Sequence, residues 1–342
     1  MAWLQGCWYA RRPPFFLWLF APLMLLFAAI VGLRRFLYRR GLVPGVLRLP
    51  VPVVVVGNLT VGGAGKTPLV LWIAQTLRAA GWHPGIVSRG HLGRENHVPQ
   101  AVFPDSTPLA AGDEPVLLAV RSGLPVWIGR NRAAAARALL SAHPRTDVLL
   151  LDDGLQHYRL KRDVEIVVFD GRGAGNGLLL PAGPLREPLG RLGEAQALVF
   201  NGAPDARVLR AAPVLPDFAM RLEPASFYAL QDPRRRATAA DFQGRALHAV
   251  AGIGNPERFF RTLEELGLCF ARHPFPDHHH FTAAELDFPA PKIVLMTEKD
   301  AVKCARLTPY PTAEIWVLPV TARLPDEFAH YLLESLNGYK AA

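Results

Sequence analysis

The run Val51-Pro-Val-Val-Val-Val-Gly-Asn-Leu-Thr-Val-Gly-Gly-Ala-Gly-Lys-Thr-Pro68 constrains the fold more than any other part of this 342-residue chain. Its uninterrupted apolar stretch, ending at Val56, predicts a strand buried on both faces, as in a parallel sheet. Lys66-Thr67-Pro68 then opens a helical spacing of apolar residues at Leu69, Val70, Ile73 and Leu77. Strand, glycine loop, Lys-Thr and helix together are the context of a phosphate-binding loop. Gly62, Gly63 and Gly65, with Ala64 among them, let successive amides face phosphate oxygens. The helix N-terminus adds partial positive charge at the same place. Lys66 is expected on the β- and γ-phosphates of a nucleotide, and the Thr67 hydroxyl on Mg2+. The strict pattern has glycine where this chain has Thr60, so a plain glycine-rich turn is the competing reading.

Strand-like runs recur at 84–88, 125–128, 148–151, 164–169 and 197–200, with helical patterns between several of them. Such alternation predicts an α/β fold: a mostly parallel sheet of P-loop NTPase type with helices on both faces. A second cycle of strands and helices begins near residue 246 and ends in a helix near 326–336. The expected division is an anchor over 1–40, a phosphate-loop domain over 41–205 and a smaller C-terminal α/β domain over 206–342.

Charge is distributed unevenly. Met1 to Arg94 holds eleven Lys or Arg and no Asp or Glu, although the whole chain carries only +9. A basic first third suggests a polyanionic partner, either nucleic acid or acidic lipid. Residues 15–33 decide between them, being apolar, uncharged and close to the length that crosses a bilayer. Arg11 and Arg12 precede this segment, and Arg34, Arg35, Arg39 and Arg40 follow it. No small-residue cleavage site follows, which argues against a signal peptide. The segment either spans the membrane or lies at one anionic leaflet, as a monotopic helix or a hairpin bent near Pro22. The second reading is favoured. The basic residues cluster around this segment without a recognition motif, so no nucleic acid is expected. Cys7, Cys269 and Cys304 stand far apart, which fits a reducing compartment rather than a disulfide scaffold.

Asp147-Val-Leu-Leu-Leu-Asp152-Asp153 has the form of a strand that delivers carboxylates to its C-terminal edge, where open parallel sheets bind ligands. Asp152 or Asp153 would hold Mg2+ beside Thr67. Asp113 and Glu114 sit in a turn between the two motifs, as a proton acceptor for a transferase or as a solvated acidic turn. Asp277-His-His-His280 invites a metal reading, but consecutive imidazoles seldom converge on one ion, and Mg2+ prefers oxygen. Arg130, Arg132, Arg172 and Arg186 are candidate phosphate partners. No N-K-x-D block for guanine recognition is present, which weakens a membrane-bound GTPase switch as the alternative.

The blocks 57–68, Val87-Ser-Arg-Gly90, Ala111-Gly-Asp-Glu-Pro115, Leu151-Asp-Asp-Gly-Leu-Gln-His157, Leu180-Pro-Ala-Gly-Pro-Leu-Arg-Glu187 and Met296-Thr-Glu-Lys-Asp-Ala-Val-Lys303 resemble the tetraacyldisaccharide 4′-kinases, in order from about residue 40 to 325. The family's loop shares the form seen at Thr60. The resemblance implies a kinase that uses ATP and Mg2+ to phosphorylate tetraacyldisaccharide 1-phosphate, a lipid A precursor, at the cytoplasmic face of the inner membrane. No obligate protein partner is inferred. Carried over by motif, Lys66 and Thr67 bind phosphate and metal, with Asp152 and Asp153 at the metal. Asp113 resembles the general base and His278 the histidine that tunes it. Glu114, Gln156, His157, Arg186 and Glu187 resemble substrate-site residues. The family places a tyrosine and a glycine after Gly90; His91-Leu92-Gly93 stands here.

Overall fold

A computed structural model describes residues 6–10, 14–90, 98–288 and 293–339; His91, Arg11 and Arg12 lie outside this range. Eight strands come first: β1 (Val53–Gly57), β2 (Pro84–Ser88), β3 (Gln100–Val102), β4 (Val126–Ile128), β5 (Val148–Asp152), β6 (Val164–Asp170), β7 (Ala197–Asn201) and β8 (Asp217–Pro224). Their spatial order is β8-β7-β6-β1-β5-β2-β4-β3, with β1 near the centre and only β3 antiparallel. Every residue of β1 is buried, because helices cover both faces of the sheet. Val54 and Val56 pack with helix α2 (Lys66–Ala79), whereas Val53 and Val55 pack with Ala135 and Leu139 of α4 (Arg132–Ala142). Between these helices in sequence comes α3 (Asp113–Ser122), which packs on the same side of the sheet as α2.

A second sheet follows: β9 (Phe227–Ala229), β10 (Arg236–Ala237), β11 (His248–Ala251), β12 (Ala271–Pro274), β13 (Ile293–Thr297) and β14 (Glu314–Leu318), in the order β10-β9-β14-β13-β11-β12. Helices α5 (Pro256–Glu265) and α6 (Glu298–Cys304) belong to it. The chain then returns. Strand β15 (Val320–Arg323) pairs antiparallel with β8, giving the first sheet nine strands. Helix α7 (Asp326–Leu336) buries Phe328, Leu332 and Leu336 in the core of that sheet.

Sheet membership therefore differs from a division at residue 205. Strands β8 and β15 and helix α7 lie beyond that point in sequence yet belong to the first lobe. Apolar periodicity identifies a strand but carries no information about which of two sheets it joins.

At the N-terminus, a 3-10 segment over Phe15–Phe20 leads into α1 (Ala21–Arg39). Pro22 lies in the first turn of α1, where the absence of an N–H costs nothing, so it starts a helix rather than bending a hairpin. The helix also continues past the uncharged stretch through Arg34 and Arg35. Phe15–Arg39 is long and apolar enough to cross a membrane, by length and composition, and almost none of it is buried in the folded body.

Candidate active site between the lobes

The glycine loop joins β1 to α2 at the C-terminal edge of the first sheet. Gly65 has a φ of +91° and caps α2, and a Cβ placed there would stand 2.4 Å from Asn201 Nδ2. Only glycine satisfies both demands. Thr60 needs no such freedom. Among the described residues, Asp153 and His278 are the non-glycine residues with positive φ. Thr60 is buried in ordinary backbone geometry, and its carbonyl accepts a hydrogen bond from Arg186 Nε at 3.2 Å.

Parallel pairing of β1 with β5 sets Val56 opposite Asp152, so the phosphate loop and the two carboxylates share one edge. Lys66 Nζ lies 3.1 Å from Asn58 Oδ1 and 3.6 Å from Asp153 Oδ1. Arg186 donates to the same Asn58 oxygen at 2.6 Å and to Asp153 Oδ2 at 3.2 Å. Burial works against a charged Asp153, but Lys66, Arg186 and Arg132 hold its pKa well below the carboxylate range. Asp152 behaves in the opposite way, since burial and the charge of Glu114 push its pKa up. Ser88 Oγ donates to Asp152 Oδ2 at 3.2 Å, while the other carboxylate oxygen is buried without a partner. Asp153 also adopts a left-handed backbone (φ 51°) at this edge, the kind of strain that concentrates at functional sites.

These residues fit Mg2+. A buried, unpartnered carboxylate oxygen beside the loop is the donor a hard cation takes. Mg2+ at a nucleotide needs only one or two protein oxygens, with phosphates and waters completing its shell. Asp152, Asp153 and the Thr67 hydroxyl are the groups that would hold it.

The second lobe completes the site. Asp113 opens α3 after Gly112, whose φ is +90°, and is buried in the cleft. His278 reaches it from the loop after β12, with Nδ1 3.0 Å from Asp113 Oδ2. Burial opposes a charged Asp113, yet the His278 hydrogen bond and the nearby Lys299 and Lys303 hold its pKa below the ordinary value. The same hydrogen bond raises the pKa of His278. A Cβ placed on Gly254, in the loop after β11, would lie 3.2 Å from Asp277 Oδ2 and 3.8 Å from the amide of Gly63, so this second-lobe loop stands between the histidine's loop and the phosphate loop.

Of the other expected residues, Glu114 meets Lys299 at 3.1 Å and Gln156 Oε1 meets Arg186 at 3.3 Å. Glu187 lies deeper, accepting from Tyr158 Oη at 2.6 Å beside the buried Arg191. His157 is held neutral: burial, then Arg132, Arg162 and other arginines lower its pKa to about 3. His279 turns away from the site to Glu285. Sequence reasoning assigned no role to Asn58, Ser88, Lys299 or Tyr158. All but Tyr158 lie inside the quoted blocks, and adjacency within those blocks was the available signal. Arg172 does reach the loop, with Nη2 3.5 Å from the Gly63 carbonyl, and Arg132 donates to the Asp153 carbonyl at 2.8 Å.

A phosphate loop at the centre of a parallel sheet, a carboxylate edge and an aspartate–histidine pair from two lobes define a P-loop kinase. The profile of the family described as LpxK, tetraacyldisaccharide-1-P 4′-kinase, matches residues 16–337. A tetraacyldisaccharide 4′-kinase from Dechloromonas aromatica is 53% identical over 99% of this chain and 99% of its own length. Another from Azoarcus sp. strain BH72 is 51% identical over 96% of this chain and 94% of its own. The crystal structure of LpxK from Aquifex aeolicus in complex with ATP superposes with a TM-score of 0.77 at 27% identity, covering 93% of this chain and 98% of that one. The chain belongs to the tetraacyldisaccharide 4′-kinase family.

Proposed function

We infer that the cleft carries out the family's reaction, moving the γ-phosphoryl group of ATP to the 4′-hydroxyl of tetraacyldisaccharide 1-phosphate. The observation that carries this reading is the Asp113–His278 pair, which joins the first turn of α3 to the loop after β12. The 4′-oxygen forms a bond to the γ-phosphorus as the bond to the bridging oxygen breaks. ADP leaves with that electron pair, and the hydroxyl proton passes to Asp113. His278 orients the accepting carboxylate. Lys66 and the loop amides follow the triphosphate, and Arg186 places further positive charge beside the Asp153 carboxylate. Mg2+, held by Asp152, Asp153 and Thr67, would neutralise charge on the phosphates.

The acceptor's acyl chains remain in a bilayer, so the enzyme must work at the interface. The exposed apolar face of α1 and the basic residues that follow it support a monotopic seat on the anionic cytoplasmic leaflet of the inner membrane. Residues on both sides of the apolar segment touch the same folded body. Trp8 Nε1 donates to the Pro181 carbonyl at 3.1 Å, and Arg34 to the Gln156 carbonyl at 2.9 Å.

The test is incubation of the purified protein with γ-labelled ATP and either the acylated disaccharide 1-phosphate or its de-acylated form. Label is expected on the acylated acceptor at its 4′-oxygen. Label on neither acceptor would overturn the reading.

A further inference from the structure

Lys299 lies in the Thr297-Glu-Lys-Asp300 block, immediately after β13. Thr297 caps α6 by accepting a hydrogen bond from the Asp300 amide at 3.2 Å, which fixes the first turn of that helix at the edge of the second sheet. From there the Lys299 ammonium reaches three carboxylates. It lies 3.1 Å from Glu114, 3.3 Å from Asp277 and 3.9 Å from Asp113. Its side chain is only 18% exposed and that of Asp113 6%, so water screens these charges poorly and each interaction is stronger than a surface pair. The preceding residue acts at the other end of α3, where Glu298 takes Arg121. The first turn of α6 in one lobe is thereby fastened to both ends of the helix that presents Asp113.

We propose that Lys299 is a positioning residue for the phosphoryl transfer: it crosses the cleft to hold the Asp113–Glu114 pair in place and to keep Asp113 ionised for His278. This rests on the reading of Asp113 as the base. The charge balance requires such a cation. Asp113 and Glu114 are adjacent in the first turn of α3, and Asp277 adds a third carboxylate from the histidine's own loop. The charged groups acting on Asp113 are His278 from that loop and Lys299 and Lys303 from α6, with Glu114 next to it on α3 and Asp277 on the far side of Lys299 and His278. Lys303 is engaged elsewhere, 2.7 Å from Asp300. Lys299 is the lysine in contact with all three carboxylates as anionic ATP and a sugar phosphate approach.

The test compares full-length wild type with Lys299→Gln and Lys299→Arg. The Asp113 carboxyl carbon is followed by carbon-13 NMR without substrate, its signal assigned by loss in Asp113→Asn. The midpoint of its titration is expected to move to higher pH in Lys299→Gln and to return toward wild type in Lys299→Arg. In turnover with ATP and the disaccharide, Lys299→Gln is expected to lower kcat about 10- to 100-fold, the range for an outer partner of a functional group. The KM for ATP stays within about twofold, because the contact is not made to the nucleotide. An unmoved Asp113 midpoint, or an unchanged kcat in Lys299→Gln, overturns the proposal. If wild type fails to phosphorylate the disaccharide, the assigned reaction falls, while the midpoint comparison still decides what Lys299 does.

Discussion

Asp113 Oδ2 and His278 Nδ1 lie 3.0 Å apart across the cleft, although 165 residues separate them in the chain. His278 makes this contact from a left-handed backbone, with φ at 60°, a conformation that a non-glycine residue holds only when its surroundings enforce it. The pair therefore works as a joint between lobes as well as a chemical device. The pKa of Asp113 is lowered from 3.8, so its contribution to stability is present above pH 3.8 and lost as pH falls through the depressed value. The pKa of His278 is raised from 6.5, so its contribution is full below pH 6.5 and lost as pH rises through the elevated value. Thermal unfolding of wild type against His278→Ala is expected to differ most between those two pH values and to converge above them. Asp113→Ala is expected to reduce transfer about 10²–10⁴-fold, the loss that follows removal of a general base. Near wild-type turnover would remove Asp113 from that role.

Lys66→Ala is expected to abolish measurable transfer while the fold survives. Asn58 and Asp153 keep Arg186 as a partner when the lysine is gone, so no buried carboxylate is orphaned. Loss of one preorganised cation on the transferring group costs about 10²–10³-fold or more in kcat. A circular dichroism melt beside the radiolabel assay separates lost chemistry from lost structure.

Chelation of Mg2+ is expected to stop the reaction, and added Mg2+ to restore it. Asp152→Asn is expected to raise the Mg2+ concentration that gives half-maximal rate, because the unpartnered carboxylate oxygen loses its charge. Ser88→Ala is expected to shift it less, since it removes only the 3.2 Å hydrogen bond that aims the carboxylate. Equal Mg2+ dependence in wild type and Asp152→Asn would place the metal elsewhere.

Much of the site was legible because its pieces are local in sequence. Strand, loop and helix from Val53 to Ala79 form one contiguous unit, and β5 delivers Asp152 with the apolar run that predicts it. Contacts between lobes were a different matter. Nothing in the spacing of Lys299, Glu298 or Arg121 reports that α6 docks on α3, because that contact depends on how two sheets are set against each other. The return of β15 and α7 to the first sheet was hidden for the same reason. Asn58 escaped notice since an asparagine in a glycine loop reads as turn chemistry. Its role as the shared acceptor for Lys66 and Arg186 appears only when Arg186, 128 residues away, arrives beside it.

The N-terminal helix gives the last prediction. Leu23, Leu26, Ile30 and Leu33 are each more than half exposed on α1. Burying one such side chain in a lipid surface yields about 1.5–3 kcal/mol. Even half of that from each of four residues changes partitioning by more than about 10²-fold. Substituting all four by serine is therefore expected to release the protein from vesicles containing anionic phospholipid, as read by co-sedimentation. Deleting residues 1–33 is expected to do the same, though it also removes the buried Trp8 ring from its place against Pro181. The remaining basic residues alone should bind only at low salt, where their attraction is unscreened. The same arrangement makes a statement about sidedness. Cys7 neighbours Trp8, whose indole is tied to the folded body, and Cys269 is exposed on the second lobe. A membrane-impermeant maleimide is expected to reach both cysteines from the cytoplasmic side of oriented vesicles. Labelling of Cys7 from the opposite side would show that the segment spans the bilayer, and the one-leaflet seat would then be wrong.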